Sequence, residues 1–595
     1  MKRPIAIAAV VVAAAAVGLA LGAPWRDLLG TARDVVAWQV QAGQPDHADA
    51  MIAMPDGVRL ATDVYLPGET GRRPTVLMRL PYGKRSYGEV RFWVDQLTRR
   101  GFAVVAQDMR GRHASEGVFA PYPNAGRDGA ATLDWIVAQP WSNGRVGTLG
   151  CSALGEAQLM LAAQGHPAHR AMVPIAAGGA IGSAGGNRDY FSVFEGGIFA
   201  LATGAGWFGA QGGKTPARSG PHPIDPASTL DHLPIIDIVR QMRPDPTDYE
   251  AFLRNFDVPG YWRDAGYVTG KERFATPSLL VDTWHDPGIR STLDLAETLA
   301  RGGAPVSTII AAGTHCGYLG SDGDTVVGDL AVSPETTFGF VDAIVGFLDH
   351  HLADGPAPQL PPLSYYSLVE DRWRSATRWP PQAATLTRLY LTGDAALSPA
   401  RPTGPAAPRR LRSDPADPVP SIGGALCCTG DPEARSGPVF QNAIEGRDDL
   451  LLYSSEPLRA PLLVAGPIRA RLRISADVPD TDVVLRLTDV DPEGRSLLVQ
   501  EGALRLRYRD GFDRPRLMKP GEIYDVTIEI RDIAYLFRAG HRLRLHVAGS
   551  SFPRLARNLN TGGTNHSETA MTVANIAVHS DTAQASELIL YALPD

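Results

Sequence analysis

Cysteine is scarce in this chain: four residues in 595 make no disulfide framework of the kind that staples small secreted domains. None stands in a C-x-x-C pair, so the usual signature of a structural zinc site is missing. Cys427 and Cys428 are adjacent, Cys151 and Cys316 stand apart, and the expectation for each is a small, semi-buried thiol. Basic runs are missing too, and the formal net charge is −7, so nothing points to nucleic acid as a partner. No solenoid or propeller period recurs. What is present is ordinary for a folded protein, with 44% hydrophobic and 20% charged residues, which excludes global disorder. The length calls for roughly two to four domains.

The N-terminus carries a clear pattern. Lys2 and Arg3 precede an uncharged stretch from Pro4 to Trp25, rich in Ala, Val, Ile and Leu, with small residues at Ala20-Leu21-Gly22. Residues 1–25 read as a signal peptide, or as a membrane anchor with its basic flank inside, since the stretch is long enough to span a bilayer. The expectation is export to the periplasm or the extracellular space, with cleavage and anchoring both open.

From about residue 45 the chain alternates short apolar runs with helical ones. Gly57–Leu66, Pro74–Leu80, Phe102–Asp108 and Val146–Gly150 read as strands, while Val90–Arg100 and Gly129–Gln139 have helical period. Such alternation predicts an α/β core with a mainly parallel, doubly wound sheet. The pattern breaks over 178–273, which reads as a helical insertion containing Ile235–Arg243. It resumes at Pro277–Asp282 and Val306–Ala311 and closes with a helix over Phe338–Leu352. The core thus occupies 45–177 and 274–353. After the Pro-rich stretch at Gly355–Pro358, short alternating strands with turn residues between them predict an all-β sandwich over 360–595.

Gly150-Cys151-Ser152-Ala153-Leu154-Gly155 joins a predicted strand to a predicted helix. A nucleophile elbow needs that setting, a tight turn that exposes the serine hydroxyl, although the second glycine falls one place later than in G-x-S-x-G. The proposed triad partners follow in the chain order of such hydrolases. Asp286 comes just after the strand ending at Asp282, and His315 just after the strand that leads to Gly313. His315 would take the Ser152 proton and Asp286 would orient the imidazole. Asp282 and His285 compete for the acid and base roles. The Ala153 amide, directly after the nucleophile, is one expected oxyanion donor, and the Tyr82 hydroxyl is a second. His166 and His169 lack a third ligand for a metal and read as surface loop residues. No metal and no cofactor is expected.

Several spaced motifs resemble the family containing cocaine esterase, α-amino-acid ester hydrolases, glutaryl-cephalosporin acylases and X-prolyl dipeptidyl peptidases. They are Met54–Tyr65, Leu80-Pro81-Tyr82-Gly83-Lys84, Gln107–Gly117, the Ser152 elbow with its later glycine, Trp284-His285-Asp286 and Gly313-Thr314-His315. In the last domain Asp477–Asp482, Pro520-Gly521-Glu522 and Asn558–Gly562 match as well. The resemblance implies an α/β-hydrolase core, a helical cap inserted after the nucleophile, and a C-terminal jelly roll. It also implies a serine hydrolase with Ser152, Asp286 and His315 as triad and Tyr82 in the oxyanion hole. Ala153 stands where relatives often carry Tyr, and His285 where they often carry an aromatic residue. The expected substrate is a small ester, amide or short peptide, with homo-oligomerisation open. An X-Pro dipeptidyl peptidase is the alternative, and a catalytically idle carbohydrate- or surface-binding protein is a third reading.

Overall fold

The computed structural model describes residues 46–594 except 69, 181–191, 215–220, 269–271, 323–324, 334–336, 405 and 581–584. The expected signal or anchor segment at 1–25 lies outside the described residues. No described helix is long and apolar enough to cross a membrane.

The first domain is built on one mixed sheet, ten-stranded among the described residues. Its strands are β1 (Asp46–Ala53), β2 (Arg59–Leu66), β3 (Arg73–Leu80), β4 (Ala103–Asp108), β5 (Ser142–Cys151), β6 (His169–Ile175), β7 (Ser278–His285), β8 (Val306–Thr314), β9 (Leu363–Ser367) and β10 (Arg372–Ala376). They lie in the order β1-β2-β4-β3-β5-β6-β7-β8-β9-β10. Pairing is parallel from β4 through β9 and antiparallel at both ends. The apolar runs are continuous because this sheet is covered on both faces. Along β3, Val76, Met78 and Leu80 join one cluster while Leu77 joins another, the alternation a strand imposes. The first cluster takes in helix α1 (Gly88–Thr98) and the closing helix Phe340–Ala353. On the opposite face lie α2 (Ala125–Val137) and α3 (Ala153–Ala162), which contribute Leu133, Ile136 and Leu161.

Three strands depart from the expected pattern. β1 hides in a polar stretch, since an edge strand with one wet face needs few apolar residues. β9 and β10 follow the Pro-rich linker yet extend the first sheet, so that sheet runs past the boundary expected at 353.

The insertion between β6 and β7 contains helix α4 (Leu201–Gln211) and the short helices Ile238–Met242, Tyr249–Arg254 and Pro259–Asp264. Their aromatic residues form a dense edge-to-face cluster, including Phe208–Phe252 and Phe252–Trp262 at centroid distances of 4.9 and 4.8 Å. Beyond Thr385 the chain forms two antiparallel sheets, one centred on the long pair Leu462–Ala476 and Tyr524–Phe537, the other on Asp482–Val490. This is the expected α/β-hydrolase core followed by an all-β domain.

The expectation of free thiols fails for Cys151 and Cys316, which form a disulfide with a Cα–Cα distance of 5.9 Å across 165 residues of sequence. Cys151 ends β5 and Cys316 follows β8, so the bond ties two strand ends of the sheet together. Closing so long a loop restricts the unfolded chain, an effect of about 2–4 kcal/mol for typical bridges. The double variant Cys151→Ala/Cys316→Ala is expected to melt several degrees lower in a thermal scan at fixed rate. An unchanged melting temperature would show that the bond carries no stability.

Candidate active site

Ser152 sits between β5 and α3 with φ 60° and ψ −125°. A positive φ is costly for a residue with a side chain and persists only where the surroundings enforce it. Here the Ser152 amide donates to the Ile175 carbonyl at 2.9 Å, and its own carbonyl accepts the Glu156 amide. The late glycine of the motif has a steric reason. A Cβ on Gly155 would lie 2.7 Å from the Ala177 side chain and 2.9 Å from the Ile175 carbonyl oxygen. Ala153 opens α3, so its N–H is one of the first-turn amides that have no acceptor within the helix. Behind the elbow, Glu89 of α1 accepts a hydrogen bond from the Cys151 amide at 2.9 Å. Burial pushes the Glu89 carboxyl up to about 7.

Asp286 lies in the turn after β7 and is almost fully buried. One carboxylate oxygen accepts the Gly288 amide at 2.7 Å, and the other meets His315 Nδ1 at 2.5 Å. This pairing fixes the proton of the neutral ring on Nδ1 and leaves Nε2 as the acceptor. Burial works against protonation of His315, but the charge and hydrogen bond of Asp286 prevail, with help from Cys428, and its pKa stands well above the ordinary value.

The two competitors are engaged elsewhere. Asp282 accepts hydrogen bonds from the Thr292 hydroxyl at 2.5 Å and the Thr283 amide at 2.8 Å. Burial, reinforced by the charge of Asp286, pushes its carboxyl well up. His285 places Nε2 3.1 Å from the Val499 carbonyl of the all-β domain, and burial lowers it to about 4. Its departure from the family pattern therefore concerns the domain contact. His169 corrects a further expectation. It opens β6 and turns inward, 2.9 Å from the Thr148 hydroxyl, where burial lowers it to about 3. His166 remains near the surface, 3.1 Å from Asp134.

Tyr82 follows β3, and its hydroxyl accepts a hydrogen bond from Trp207 Nε1 at 3.1 Å. The Ser152 hydroxyl also lies within its hydrogen-bonding reach, and burial keeps the phenol protonated by raising its pKa far above the usual value. Trp207 belongs to α4 of the insertion. The preceding Gly206 lets α4 come against the all-β domain, because a Cβ there would meet the Thr429 and Cys428 carbonyl oxygens at 2.3 and 2.6 Å. The helix that delivers Trp207 thus packs backbone to backbone on the loop carrying Cys427 and Cys428.

That cysteine pair is the part of the site that sequence reasoning missed. A φ of 59° at Cys428 brings the two adjacent thiols together, and their sulfurs share a 2.8 Å contact. His315, Cys427 and Cys428 have their ligand atoms within 4.8 Å of one another. The hydrogen bond with Cys427, then that with His315 and its charge, hold the Cys428 thiol down at about 5, while Cys427 is pushed well up. Thr314, His315, Leu426, Cys427 and Cys428 line a cleft of about 540 Å³. A larger cleft, of about 920 Å³, lies around Asp49, Asp63, Lys84 and Arg85. Its buried acid Asp63 is paired with Lys84 and Arg85, and Ser152, Asp286 and His315 do not line it.

Comparison with known proteins agrees with this architecture. Residues 56–317 match the X-Pro dipeptidyl-peptidase (S15 family) model, and residues 357–589 match that of the X-Pro dipeptidyl-peptidase C-terminal non-catalytic domain. Cocaine esterase of Rhodococcus sp. (strain MB1 Bresler) is 32% identical over 550 residues, covering 87% of this chain and 92% of that protein. The crystal structure of an α-amino acid ester hydrolase superposes with a TM-score of 0.81 at 25% identity, covering 93% of this chain and 98% of its own. An aminopeptidase from a marine sediment Thaumarchaeota archaeon shares the fold at a TM-score of 0.81 and 24% identity, covering 93% and 97%. With a matching catalytic domain, a matching C-terminal domain and a relative alike over nearly its whole length, the chain belongs to the cocaine esterase and X-Pro dipeptidyl-peptidase family of serine hydrolases.

Proposed function

We propose that the protein hydrolyses a small carboxylic ester or amide through an acyl-enzyme on Ser152. The observation that carries this reading is the hydrogen-bonded His315–Asp286 pair, whose neighbour Cys316 is covalently tied to Cys151, the residue before the strained Ser152. His315 Nε2 takes the hydroxyl proton as Ser152 Oγ attacks the acyl carbon. Asp286 stabilises the imidazolium that forms. The oxygen that becomes negative is met by the Ala153 amide and the Tyr82 hydroxyl, which can donate because Trp207 supplies the hydrogen bond it accepts. The imidazolium then protonates the leaving alcohol or amine. A water activated by the same base attacks the acyl-enzyme and frees the acid.

The family match also supports a second reading, cleavage after X-Pro. Turnover of an X-Pro anilide at a rate comparable to a p-nitrophenyl ester would favour it. The idle binding-protein reading loses its basis, because the chain belongs to a family of hydrolases. Export is part of the proposal as well. The basic residues ahead of the apolar stretch Pro4–Trp25 support it, and so does the Cys151–Cys316 disulfide, since disulfides persist in oxidising compartments. Membrane attachment through that stretch is tested by fractionating cells expressing the full chain.

Three outcomes are expected in steady-state assays with a p-nitrophenyl ester. Ser152→Ala abolishes turnover and fluorophosphonate labelling while circular dichroism is unchanged; near-wild-type turnover would sink the assignment. Tyr82→Phe lowers kcat by about 10²–10³, the scale for one oxyanion donor, and a loss below about threefold, far short of that scale, would remove it from the hole. The third concerns pH. The raised His315 pKa means that kcat/KM climbs with pH through a midpoint above the ordinary histidine value. Cys428→Ser removes a group that favours the imidazolium, so this midpoint moves down; an upward or absent shift would contradict the electrostatics.

A further inference from the structure

We propose that His315, Cys427 and Cys428 form an inhibitory binding site for one thiophilic divalent cation of the zinc type. Two thiols and an imidazole are the donors zinc prefers, with bonds of about 2.3 Å to sulfur and 2.0–2.1 Å to nitrogen. Ligand atoms within 4.8 Å of one another can close on one such ion by rotation of side chains alone. The 2.8 Å sulfur–sulfur contact must open by roughly 1 Å to suit a tetrahedral site.

Three further features favour the ion. His315 already gives its Nδ1 proton to Asp286 at 2.5 Å, and a metal-ligating histidine is oriented in the same way by a carboxylate. Cys428 is exposed and lines the 540 Å³ cleft, so an ion has a path of entry and water can fill the fourth position. The left-handed backbone at Cys428 holds the two thiols on one side, where successive extended residues would point them apart.

The site differs from a structural zinc centre. The two sheets of the all-β domain pack without it, and one of its ligands comes from the other domain. Its effect follows from the reading of His315 as the catalytic base. An ion on Nε2 occupies the lone pair that, on that reading, accepts the Ser152 proton. Inhibition is therefore reversible by a chelator.

The test uses the full protein with the Cys151–Cys316 bond intact and the reductant removed. Co2+ is added as a spectroscopic probe and Zn2+ is titrated against ester hydrolysis. Expected are a thiolate-to-cobalt charge-transfer band saturating at one equivalent and Zn2+ inhibition that EDTA reverses. Cys427→Ser and Cys428→Ser should each lose the band and raise the half-inhibitory Zn2+ concentration, measured against their own metal-free rates, by about tenfold or more. Ser152→Ala should keep the band, which separates metal binding from the proposed catalysis, and circular dichroism confirms that each variant is folded. No cobalt–thiolate band in the wild type overturns the site, as does equal Zn2+ sensitivity in all three proteins. A Cys427–Cys428 disulfide that resists mild reductant would overturn it too.

Discussion

The bond between Cys151 and Cys316 joins the ends of β5 and β8, strands separated in the sheet by β6 and β7. Three inter-strand spacings amount to about 14 Å, yet the bonded Cα atoms are 5.9 Å apart. The two loops must therefore lean toward each other over the intervening strand ends. The parallel pairing of β5 through β8 makes this geometry possible, because it places all four carboxyl ends on one edge. Ser152, Asp286 and His315 each follow one of those ends. Packing alone must choose among loop conformations of similar energy; a covalent tie one residue from both Ser152 and His315 removes most of that choice.

The rest of the site depends on segments that are distant in sequence. The all-β domain holds the turn before Asp286 through Gln500, which donates to the Trp284 carbonyl at 2.7 Å, and through the Val499 carbonyl opposite His285. Glu195 of the insertion is clamped between Arg531 and Arg554, both at 2.6 Å. Such buried pairs add little net stability because desolvation offsets their attraction, but their geometry sets one domain in register against the other. Register matters here, since Trp207 and the cysteine loop must arrive at Tyr82 and His315 together.

What could be read from sequence follows the range of the interactions. The elbow and the loops after β7 and β8 were legible because strand period, glycine placement and chain order are local signals. The wrong expectation for Cys151 and Cys316 had a remedy in the sequence itself. Each is adjacent to a proposed triad member, so a triad that brings Ser152 and His315 together brings their neighbours together. Nothing local reports on Cys427 and Cys428, which reach the site through the docking of a separate domain. Asp282 and His285 could be told from Asp286 and His315 only in three dimensions, since residues so close in sequence differ by which way the strand end turns them. The same holds for His169, whose inward turn is set by the register of β6.

His315 is held between opposing effects larger than their difference. Burial favours the neutral ring, which on the proposed mechanism accepts the Ser152 proton, whereas Asp286 and Cys428 favour the charged ring that this mechanism forms next. An enzyme with only the carboxylate would face one such compromise. Here a second sulfur-based partner shifts the balance further toward the imidazolium, which lowers the share of ready base near neutrality and steadies the ion pair once formed. A cation-binding role for the cysteine pair would use the same geometry in the opposite sense, with the lone pair that serves catalysis serving as a ligand. Both proposed states use the Nδ1 hydrogen bond to Asp286, so the same residue would orient His315 as base and as metal ligand.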